Sequence, residues 1–345
     1  MITKRITCLF LCALGAAAGA ETARFKQKDF CISFFVDPPI GEDAAARYDE
    51  IVAANFNVVT GMFGGQTPEL VRRQVQLCRE RGLKLIAPMA GLADSELPDD
   101  PEVWGYFIRD EPSAKDFPAL RERVDALRAA RPGKLGYINL FPSYCELERL
   151  GTPTYDEHVR RYMEEVDPDV LCMDHYPFMR RDKDTREAYL EDLATMRKHA
   201  MAKGVPWWNF FNTMPFGSHA DPTEAQLRWQ IFSSVAYGAK GVLYFCYWTP
   251  RGGEFEKGGA ILTAEGRRTR HYEQAKRINA VLKQWGPRLM TLTSESTGRV
   301  VGGAAGAATL AGTPLTGLSE GEFELGVFRD TRSHPLPCTS FNCIA

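Results

Sequence analysis

The chain has 345 residues, of which 44% are hydrophobic and 25% are charged, and its formal net charge is -2. This composition is ordinary for a globular protein with one large core or two smaller ones, and it excludes a chain that is disordered throughout. Because positive and negative residues are mixed along the sequence, nothing indicates a nucleic acid or an anionic membrane as partner. A neutral or weakly charged ligand is therefore expected.

Residues 1–20 predict an export signal that is removed from the mature protein. The cationic residues Lys4 and Arg5 precede the apolar run ITCLFLCALGAAA, and a small-residue cleavage site follows, ending at Ala20. The run is too short to span a bilayer comfortably, and no later segment is long enough. We therefore expect a secreted or periplasmic protein without membrane association after cleavage; the sequence leaves its oligomeric state open.

Cysteine usage predicts neither a disulfide framework nor a zinc site. Two of the nine cysteines lie in the signal, and the remaining seven include no CxxC pair, so at least one thiol stays free. Cys31, Cys172 and Cys246 lie in apolar, strand-like runs, where a cysteine is most often a small buried hydrophobic residue. The sequence does not decide whether Cys338 and Cys343 form a disulfide.

Residues 31–292 alternate short apolar runs with longer stretches of helical period, the pattern of βα units on a parallel sheet. The predicted strands are CISFFVD, FNVVTGMFG, LKLIAPMAG, VWGYFIRDE, KLGYINLFP, DVLCMDHYPF, VPWWNFFNT and GVLYFCYWTP. Eight such units predict an α/β fold of the (β/α)8 barrel type over residues 21–292. An open doubly wound sheet would give similar local signals, although no glycine-rich phosphate turn follows the first strand.

The segments between the strands have the apolar spacing of amphipathic helices. Their predicted buried stripes are Phe117, Leu120, Val124 and Leu127; Tyr155, Val159, Tyr162 and Val166; and Leu227, Ile231 and Val235. Gly82, Gly133, Gly204 and Gly241 precede the next strand, where the end of a helix needs a left-handed residue. The histidines on these helices, His158, His199 and His271, are expected at the surface.

Residues 293–345 predict a small β-rich extension, which is incomplete or poorly ordered. The composition turns to Gly, Ala, Ser and Thr, and strand-like pieces occur only at RVVGG and EFELGVFRD. The final segment, SHPLPCTSFNCIA, has the pattern of neither a strand nor a helix.

Polar and aromatic residues follow the predicted strands, at the end of a (β/α)8 barrel where active sites lie. These candidate site residues are Asp37, Asp110, Glu111, Asn139, Asp174, His175, Tyr176, Asn209, Asn212, Tyr247 and Trp248. Carboxylates and amides bind sugar hydroxyls, and flat aromatic rings stack on the C–H faces of a sugar. The expected partner is therefore a carbohydrate, and no cofactor is predicted because the motifs for hydride or phosphoryl transfer are missing.

Cleavage of a glycosidic bond needs one carboxyl group to protonate the leaving oxygen and a second to act as nucleophile or to activate water. Glu111 and Asp174 follow predicted strands four and six, so they can face each other across the mouth of a barrel. Asp110, next to Glu111, completes the predicted catalytic set. The proton donor needs a raised pKa, from partial burial or from the neighbouring Asp110 charge.

The stretch WGYFIRDEP resembles the end of strand four in (β/α)8 glycoside hydrolases of the large retaining clan, including the family 42 β-galactosidase-like group. The likeness extends more loosely over residues 31–290, including DHYPF and YGAKGVLYFCYWTP. In that clan the acid/base is a Glu at this position, commonly preceded by Asn and followed by Pro. The resemblance implies that Glu111 is the acid/base and that Asp110 stands in place of the Asn.

One departure from the clan concerns the second carboxylate. The clan places a nucleophilic Glu at the end of strand seven, where this chain reads VPWWNFFNT. Three alternatives stay open: Asp174 is the partner, Glu254 reaches in from the loop after strand eight, or the substrate supplies its own nucleophile and Asp110 orients it.

Other interpretations of the same residues remain. Asp110 and Glu111 could cap the following helix, in which Pro112 suits the first turn and Ser113 with Asp116 resembles a capping box.

The aromatic residues near the strand ends, Trp207, Trp208, Tyr247 and Trp248, could belong to the core instead of to a binding surface. Asp174 and His175 could form a buried hydrogen-bonded pair that fixes a loop.

Two further classes of function are possible. Asp37, Asp174, His175 and His219 could hold a metal for a deacetylase or other hydrolase, but their spacing fits no ligand motif, so no metal residue is assigned. A carbohydrate-binding barrel without activity is the other alternative, because strand seven lacks the Glu.

Overall fold

The structure is a computed structural model, and it describes residues 23–61, 63–89, 92–181, 183–252, 259–301, 322–330 and 339–342. The predicted export signal, Glu254 and the possible Cys338–Cys343 pair lie outside these residues. The described cysteines, Cys31, Cys78, Cys145, Cys172 and Cys246, are all free thiols, and all but Cys145 are buried.

All eight strands predicted for the barrel are present, and each is shorter than predicted because the hydrogen-bonded ladder covers only part of each apolar run. The strands are β1 Cys31–Phe34, β2 Val58–Thr60, β3 Lys84–Pro88, β4 Val103–Asp110, β5 Leu135–Asn139, β6 Leu171–Asp174, β7 Trp207–Asn212 and β8 Gly241–Phe245. The helices are α1 Ala44–Ala53, α2 Pro68–Arg81, α3 Phe117–Ala130, α4 Leu147–Leu150, α5 Tyr155–Glu165, α6 Arg186–Lys203, α7 Glu224–Ala236 and α8 Arg270–Leu289.

The strands form two parallel sheets, ordered β2-β3-β4-β5 and β1-β8-β7-β6. The sheets meet at two seams. At the first, Asn57 N donates to Ile32 O at 3.1 Å, and at the second, Leu140 N donates to Cys172 O at 2.9 Å. The strands therefore follow one another in chain order around a ring, which confirms the predicted (β/α)8 fold and is not the order of a doubly wound sheet.

One buried cluster fills the inside of this ring and takes a side chain from every strand. Its members, in strand order, include Cys31, Val58, Ile86, Trp104, Leu135, Cys172, Trp208 and Leu243. Because large side chains fill the interior, the barrel is a packed core and not a pore. Ligands must therefore bind at its ends or on its outer surface.

The predicted apolar stripes of α3, α5 and α7 are buried against the barrel, as expected. Gly82, Gly133 and Gly204 have positive φ values of 66°, 82° and 73°, as predicted for residues that follow helices. Gly241 is a correction: it is the first residue of β8, and Gly238, with φ of 95°, takes the left-handed position after α7. A Cβ on Gly241 would lie 2.5 Å from Trp208 Cδ1, so close packing explains that glycine.

The expectation that the helix histidines lie on the surface is wrong, because all three are buried. His158 Nδ1 lies 3.0 Å from a backbone carbonyl, that of Leu150. His199 and His271 each place Nε2 at 2.8 Å from an aspartate, Asp156 and Asp221 respectively. Each ring is therefore a hydrogen-bonded tie between a helix and a neighbouring segment.

After α8 the chain forms an antiparallel sheet of β9 Leu292–Val301, β10 Glu322–Asp330 and β11 Thr339–Asn342, ordered β11-β10-β9. β10 coincides with the predicted EFELGVFRD, whereas β11 falls in a segment predicted to be irregular. Pairing with β10 along Leu325 to Phe328 gives β11 a partner that its own composition does not indicate. Within the described residues, no helix has the length and apolar character needed to cross a membrane.

Close approach of β4 and β5 depends on Gly105. A Cβ at this position would lie 2.1 Å from Leu135 O, which is a backbone atom and cannot move aside. Gly105→Ala should therefore lower the free energy of unfolding by about 1–3 kcal/mol. Urea denaturation with linear extrapolation measures the change.

Gly136→Ala on β5 is the matched control. Its Cβ would first meet Ile108 Cδ1 at 2.9 Å, the flexible end of a side chain, so the loss should be smaller. Equal losses in the two variants would contradict this account of the β4–β5 contact.

Candidate active site

The carboxyl ends of the strands open into a cavity of about 500 Å³, here called the mouth cavity. It combines three carboxylates, one amide, one guanidinium and one imidazole with a largely aromatic wall. Its lining residues are Phe35, Val36, Phe63, Asp110, Glu111, Asn139, Pro142, Tyr144, Arg149, Asp174, Tyr176, Phe210, Phe216, His219, Phe245 and Pro250. The predicted residues Asp110, Glu111, Asn139, Asp174 and Tyr176 therefore come together.

Asn139, at the end of β5, links the acids at the ends of β4 and β6. Its Nδ2 donates to Asp174 Oδ1 at 2.9 Å and to Asp110 Oδ1 at 3.2 Å. Its backbone oxygen accepts a hydrogen bond from Glu111 N at 2.8 Å. Asn139 Oδ1 is buried and accepts no hydrogen bond from the described residues, so a ligand hydroxyl that reached it could donate to it.

Burial and mutual repulsion keep protons on this acidic cluster. Burial, and then the charge of Asp110, raise the pKa of Glu111 to about 7, while Arg149 acts in the opposite direction. The pKa of Asp174 lies well above its usual range because of burial and then the charges of Glu111 and Asp110. Because Glu111 and Asp174 repel each other as anions, they titrate as a pair, and the pair retains a proton near neutral pH.

Asp110 is exposed as a residue, but desolvation of its carboxylate still raises its pKa, against the hydrogen bond from Asn139 and the charge of Arg109. Arg149, from α4, is the cation nearest Glu111. Its Nη2 lies 3.6 Å from Glu111 Oε2, and its guanidinium carbon lies 4.7 Å from the centre of the Phe141 ring. This exposed contact is too long for a hydrogen bond, so it neutralises little of the negative charge of the acidic cluster.

Glu111 has φ of 45°, in the left-handed region that costs a non-glycine residue about 1–2 kcal/mol. Val36, on the opposite wall of the mouth cavity, has φ of 57°. Backbone strain of this kind is concentrated at functional sites. At Glu111 it accompanies the turn of the chain out of β4, which sets the carboxylate at the cavity wall.

The structure does not support the interpretation of Asp110 and Glu111 as helix caps. The turn after them is capped by Asp116, whose Oδ2 accepts a hydrogen bond from Ser113 N at 3.0 Å. Asp110 instead bonds Asn139, and Glu111 faces Arg149. The predicted capping pair Ser113 and Asp116 therefore leaves both acids available to the mouth cavity.

Two rings on the rim of the mouth cavity expose large faces. Phe63 is 44% exposed and Tyr144 is 53% exposed, which is unusual for side chains of this size. Phe63 packs edge-on against Phe35, with ring centres 5.4 Å apart, and Tyr144 packs edge-on against His175 at 5.0 Å. Rings that are held at one edge and open on a face are suited to stacking on sugars.

His219, from the loop after β7, completes this wall. Its ring lies 4.5 Å from Phe216 and 5.5 Å from Tyr176, centre to centre. Burial lowers the pKa of His219 to about 4, so the ring is neutral at neutral pH. A neutral imidazole can both donate and accept hydrogen bonds with hydroxyl groups.

Asp37 lies behind the wall and not in it. Its carboxylate accepts hydrogen bonds from Phe63 N at 2.7 Å, from Gly64 N at 3.0 Å and from Gln74 Nε2 at 2.6 Å. Burial raises its pKa to about 7 in spite of these bonds. Asp37 therefore holds the loop that carries Phe63, a role different from the predicted contact with substrate.

His175 is also behind the wall. It is fully buried, and its Nδ1 lies 2.6 Å from Asp192 Oδ2, which also accepts a hydrogen bond from Ser143 N at 3.0 Å. The alternative prediction that Asp174 and His175 form a buried pair is therefore wrong: His175 pairs with Asp192, and Asp174 bonds Asn139. Through Ser143, Asp192 fixes the loop that carries Tyr144.

Four other predicted residues lie away from the mouth cavity. Asn209 Nδ2 donates to Tyr189 Oη and Ser234 Oγ, between β7 and the helices. Asn212 Nδ2 donates to Ala220 O, within the loop after β7. These positions correct the prediction that both amides face a ligand.

Tyr247 and Trp248 are corrected in the same way. Tyr247 is buried and stacks on Phe34, with ring centres 4.5 Å apart, in the layer between barrel and helices. Trp248 is half-buried beside Arg47, whose guanidinium carbon lies 5.4 Å from its ring. Trp207 and Trp208 are buried as well, so the core interpretation of these aromatic residues holds for three of the four.

Sequence reasoning missed several members of the wall, namely Phe35, Phe63, Tyr144, Arg149, Phe210, Phe216 and Phe245. Most of them are aromatic residues in or next to apolar strands, where a core residue has the same appearance. Of these residues, Tyr144 was the one that the sequence indicated most clearly, because it is an aromatic residue in the polar stretch after β5.

The predicted metal residues do not form a site. Asp37, Asp174, His175 and His219 are engaged with different partners, and in the described ranges no three His, Cys, Asp or Glu side chains are placed to hold a metal ion. β7 contributes Phe210 to the mouth cavity and has no carboxylate in its own sequence, Trp207–Asn212.

This arrangement, a parallel (β/α)8 barrel with paired acids at the ends of β4 and β6, is that of a glycoside hydrolase-like barrel. A family model described as β-galactosidase of glycoside hydrolase family 42 matches residues 119–285, just under half of the chain. The predicted resemblance to family 42 catalytic domains is therefore confirmed. No curated protein sequence matches the chain.

Solved structures of β-galactosidases share the fold. The family 42 enzyme of G. stearothermophilus aligns over 78% of this chain and 59% of its own, with 11% identity and a TM-score of 0.57. The enzyme of Bacillus circulans sp. alkalophilus aligns over 78% and 58%, with 13% identity and a TM-score of 0.57. That of the psychrophilic Marinomonas ef1 aligns over 76% and 62%, with 11% identity and a TM-score of 0.53. This chain thus spans about three fifths of their lengths.

The raised pKa of Glu111 should be visible in stability without any substrate. Glu111 binds a proton more tightly in the folded protein, so its contribution to stability is present below about pH 4.5 and is lost as pH rises through about 7. Glu111→Gln should therefore flatten the fall in the free energy of unfolding between pH 5 and 8, measured by urea denaturation.

Glu148→Gln is the control, because Glu148 is an exposed acid on the neighbouring α4. It should keep the slope of the unsubstituted protein. If Glu111→Gln also kept that slope, Glu111 would have an ordinary pKa and the account of the acidic cluster would fail.

Proposed function

We propose that the protein is a glycosidase that cleaves an O-glycosidic bond of an oligo- or polysaccharide in the mouth cavity. The observation that supports this most directly is the pairing of Glu111 and Asp174, two carboxyl groups that share a cavity with open aromatic faces. Glycoside hydrolysis needs such a pair, and the match to the family 42 model supports the same reaction.

Glu111 is the proposed proton donor. Its carboxyl lies at the cavity wall and is partly open to solvent, and its pKa of about 7 lets it hold a proton at neutral pH and release it to a leaving oxygen. It also stands at the strand-four position that carries the acid/base in the clan it resembles. Once deprotonated, it can accept a proton from an attacking water.

Asp174 is the proposed second carboxylate. It is more deeply buried than Glu111, which raises its pKa, and hydrogen bonds from Asn139 and Tyr176 act against burial and favour its ionised form. When Glu111 carries the shared proton, Asp174 is the anion of the pair, placed to stabilise positive charge at the anomeric carbon or to act on it directly. Asp110 keeps Asn139 in position and raises the pKa of Glu111.

The proposed substrate is a neutral or weakly charged sugar chain that stacks on Phe63 and Tyr144. A β-galactoside is the first candidate because of the family match. We also propose that the protein is exported, since residues 1–20 have the layout of a cleaved signal.

A carbohydrate-binding barrel without activity is the competing proposal. It is favoured by β7, which lacks the carboxylate that the retaining clan uses as its nucleophile. The two proposals differ in turnover and not in binding.

Glu111→Gln should reduce kcat by roughly 10²–10⁴-fold on whichever glycoside of a broad panel, β-galactosides first, the protein cleaves. Loss of the proton donor should spare substrates with activated leaving groups such as nitrophenolates, because they need little protonation. Release of reducing sugar measures the first effect, and nitrophenolate absorbance measures the second. Glu148→Gln is the control and should keep full activity; glycan binding without turnover by the unsubstituted protein would favour the competing proposal.

Asp110→Asn should move the high-pH limb of the kcat/KM profile to lower pH. The negative charge of Asp110 raises the pKa of Glu111, so removing it lowers the pH at which the donor loses its proton. A profile from pH 4 to 10 on the best substrate measures the shift. A limb that stays in place, or moves to higher pH, would show that Asp110 does not tune the donor.

A further inference from the structure

A second cavity lies at the opposite end of the barrel from the mouth. Its volume is about 600 Å³, and we call it the basal cavity. It is formed where the chain enters β6, β7 and β8, by the amino-terminal segment 24–27, the end of α6 and the start of β9. The proposed glycosidase chemistry uses none of its residues.

The charged groups of the basal cavity are unbalanced. Five cationic side chains line it, Arg24, Lys26, Arg197, Lys203 and Lys240, against a single carboxylate, Asp169. That carboxylate is already engaged: Arg24 Nε donates to its Oδ1 at 2.7 Å, and Arg128 Nη2 donates to the same oxygen at 3.0 Å. Asp167, next to the cavity, pairs with Arg24 at 2.9 Å and with Lys203 at 2.8 Å. Lys26, Arg197 and Lys240 are left without a carboxylate partner among the described contacts.

Two of these cations are partly buried without a carboxylate partner among the described contacts. Arg197 donates through Nε to Ser294 Oγ at 2.8 Å and through Nη2 to Ser294 O at 3.4 Å, which leaves its Nη1 without a described partner. Lys240 Nζ donates to the backbone oxygens of Leu289 and Leu292, each at 2.5 Å, and one of its three N–H groups remains. Burial lowers the pKa of Arg197 and lowers that of Lys240 to about 8, which is the expected effect on a cation that lacks an anion.

Trp207, which lines the same cavity, carries a neutral donor without a described partner. Trp207, the first residue of β7, is 2% exposed, and its indole Nε1–H has no acceptor among the described residues. A buried N–H without an acceptor is costly, and an indole nitrogen can only donate. By contrast, the adjacent Trp208 donates to Gln27 Oε1 at 2.9 Å.

Most of the remaining wall is apolar. It includes Phe25, Val205, Pro206, Met290 and Leu292. A mostly apolar cavity that is also lined by a few polar donors is typical of small-molecule sites, whose volumes are about 300–1,000 Å³. Unsatisfied donors and excess positive charge select an acceptor that is negative, and the cavity is larger than a lone oxyanion needs.

We propose that the basal cavity binds an oxyanion, the carboxylate or sulfate group of a small ligand whose remaining part lies on the apolar wall. Arg197 and Trp207 donate hydrogen bonds to the oxyanion, and the positive charge of Lys240 attracts it. Because the site lies at the amino ends of the strands, it is separate from Glu111, and it stands whether or not the protein is a glycosidase.

Isothermal titration of the full-length mature protein with sodium glucuronate, inorganic sulfate and uncharged glucose tests this site, against a sodium chloride background of equal ionic strength. Glucuronate or sulfate should bind saturably, and glucose should not. Tighter binding of glucuronate would support the whole proposal. Equal or tighter binding of sulfate would support the oxyanion site and would overturn the contact of the rest of the ligand with the apolar wall.

Two substitutions locate the binding. Arg197→Gln should weaken it about tenfold or more, the usual effect of losing a charge-assisted hydrogen bond. Trp207→Phe keeps the buried ring and removes only the N–H, so it should weaken binding several-fold without unfolding the protein. Arg228→Gln, on α7 and paired with Glu224, is the control and should bind as the unsubstituted protein does.

No saturable binding above the chloride background would overturn the proposal. So would binding that both Arg197→Gln and Trp207→Phe leave unchanged, because the oxyanion would then lie elsewhere on the molecule.

Discussion

The hydrogen bonds of Asn139 hold together the part of the molecule on which any chemistry depends. One amide nitrogen, at the end of β5, reaches the carboxylates at the ends of β4 and β6, and the backbone oxygen of the same residue fixes Glu111. Three acids this close repel one another, and partial burial increases that repulsion. The barrel tolerates them because an uncharged donor stabilises two of them and because protons remain on the cluster near neutral pH.

The strained backbone of Glu111 belongs to the same arrangement. A left-handed Glu at the end of β4 is less stable than a glycine would be, so the strain indicates that this position serves the side chain and not the turn. Asp37 and the pair of His175 with Asp192 lie behind the wall of the mouth cavity. Each is a buried hydrogen-bonded group that holds a loop, and each of those loops presents an exposed ring, Phe63 or Tyr144, to the mouth cavity.

Much of the fold could be predicted from the sequence, because apolar runs and helical spacing report burial directly. Eight strands and the buried stripes of the helices followed from these patterns, as did the convergence of Asp110, Glu111 and Asn139 with Asp174 at one end. The direction of a single side chain on a strand could not be predicted. Trp208 and Phe210 point into the barrel while Asn209, between them, points to the helices, and nothing in VPWWNFFNT reveals which of the two alternating sets faces inward.

Loops and partners limited prediction in a second way. Tyr144 comes from the irregular chain between β5 and α4, whose path depends on Asp192, nearly fifty residues later, and Arg149 comes from the short α4 that follows it. His158, His199 and His271 fit an exposed helix face by composition, yet each is buried and bonds a carbonyl or carboxylate of another segment through a ring nitrogen. Polar residues are buried where a partner exists, and a single sequence does not identify the partner.

The two ends of the barrel differ in the electrostatic problem that each presents. At the mouth, carboxylates outnumber the nearby cations, so protons are retained there and proton transfer becomes possible near neutral pH. At the base, Arg197 and Lys240 have no carboxylate partner among the described contacts, and neither an arginine nor a lysine ammonium can accept a hydrogen bond. An acidic surplus can be neutralised by protons from water, but a surplus that contains arginine can be neutralised only by an anion. That asymmetry is the physical reason to look for catalysis at one end and for a bound ligand at the other.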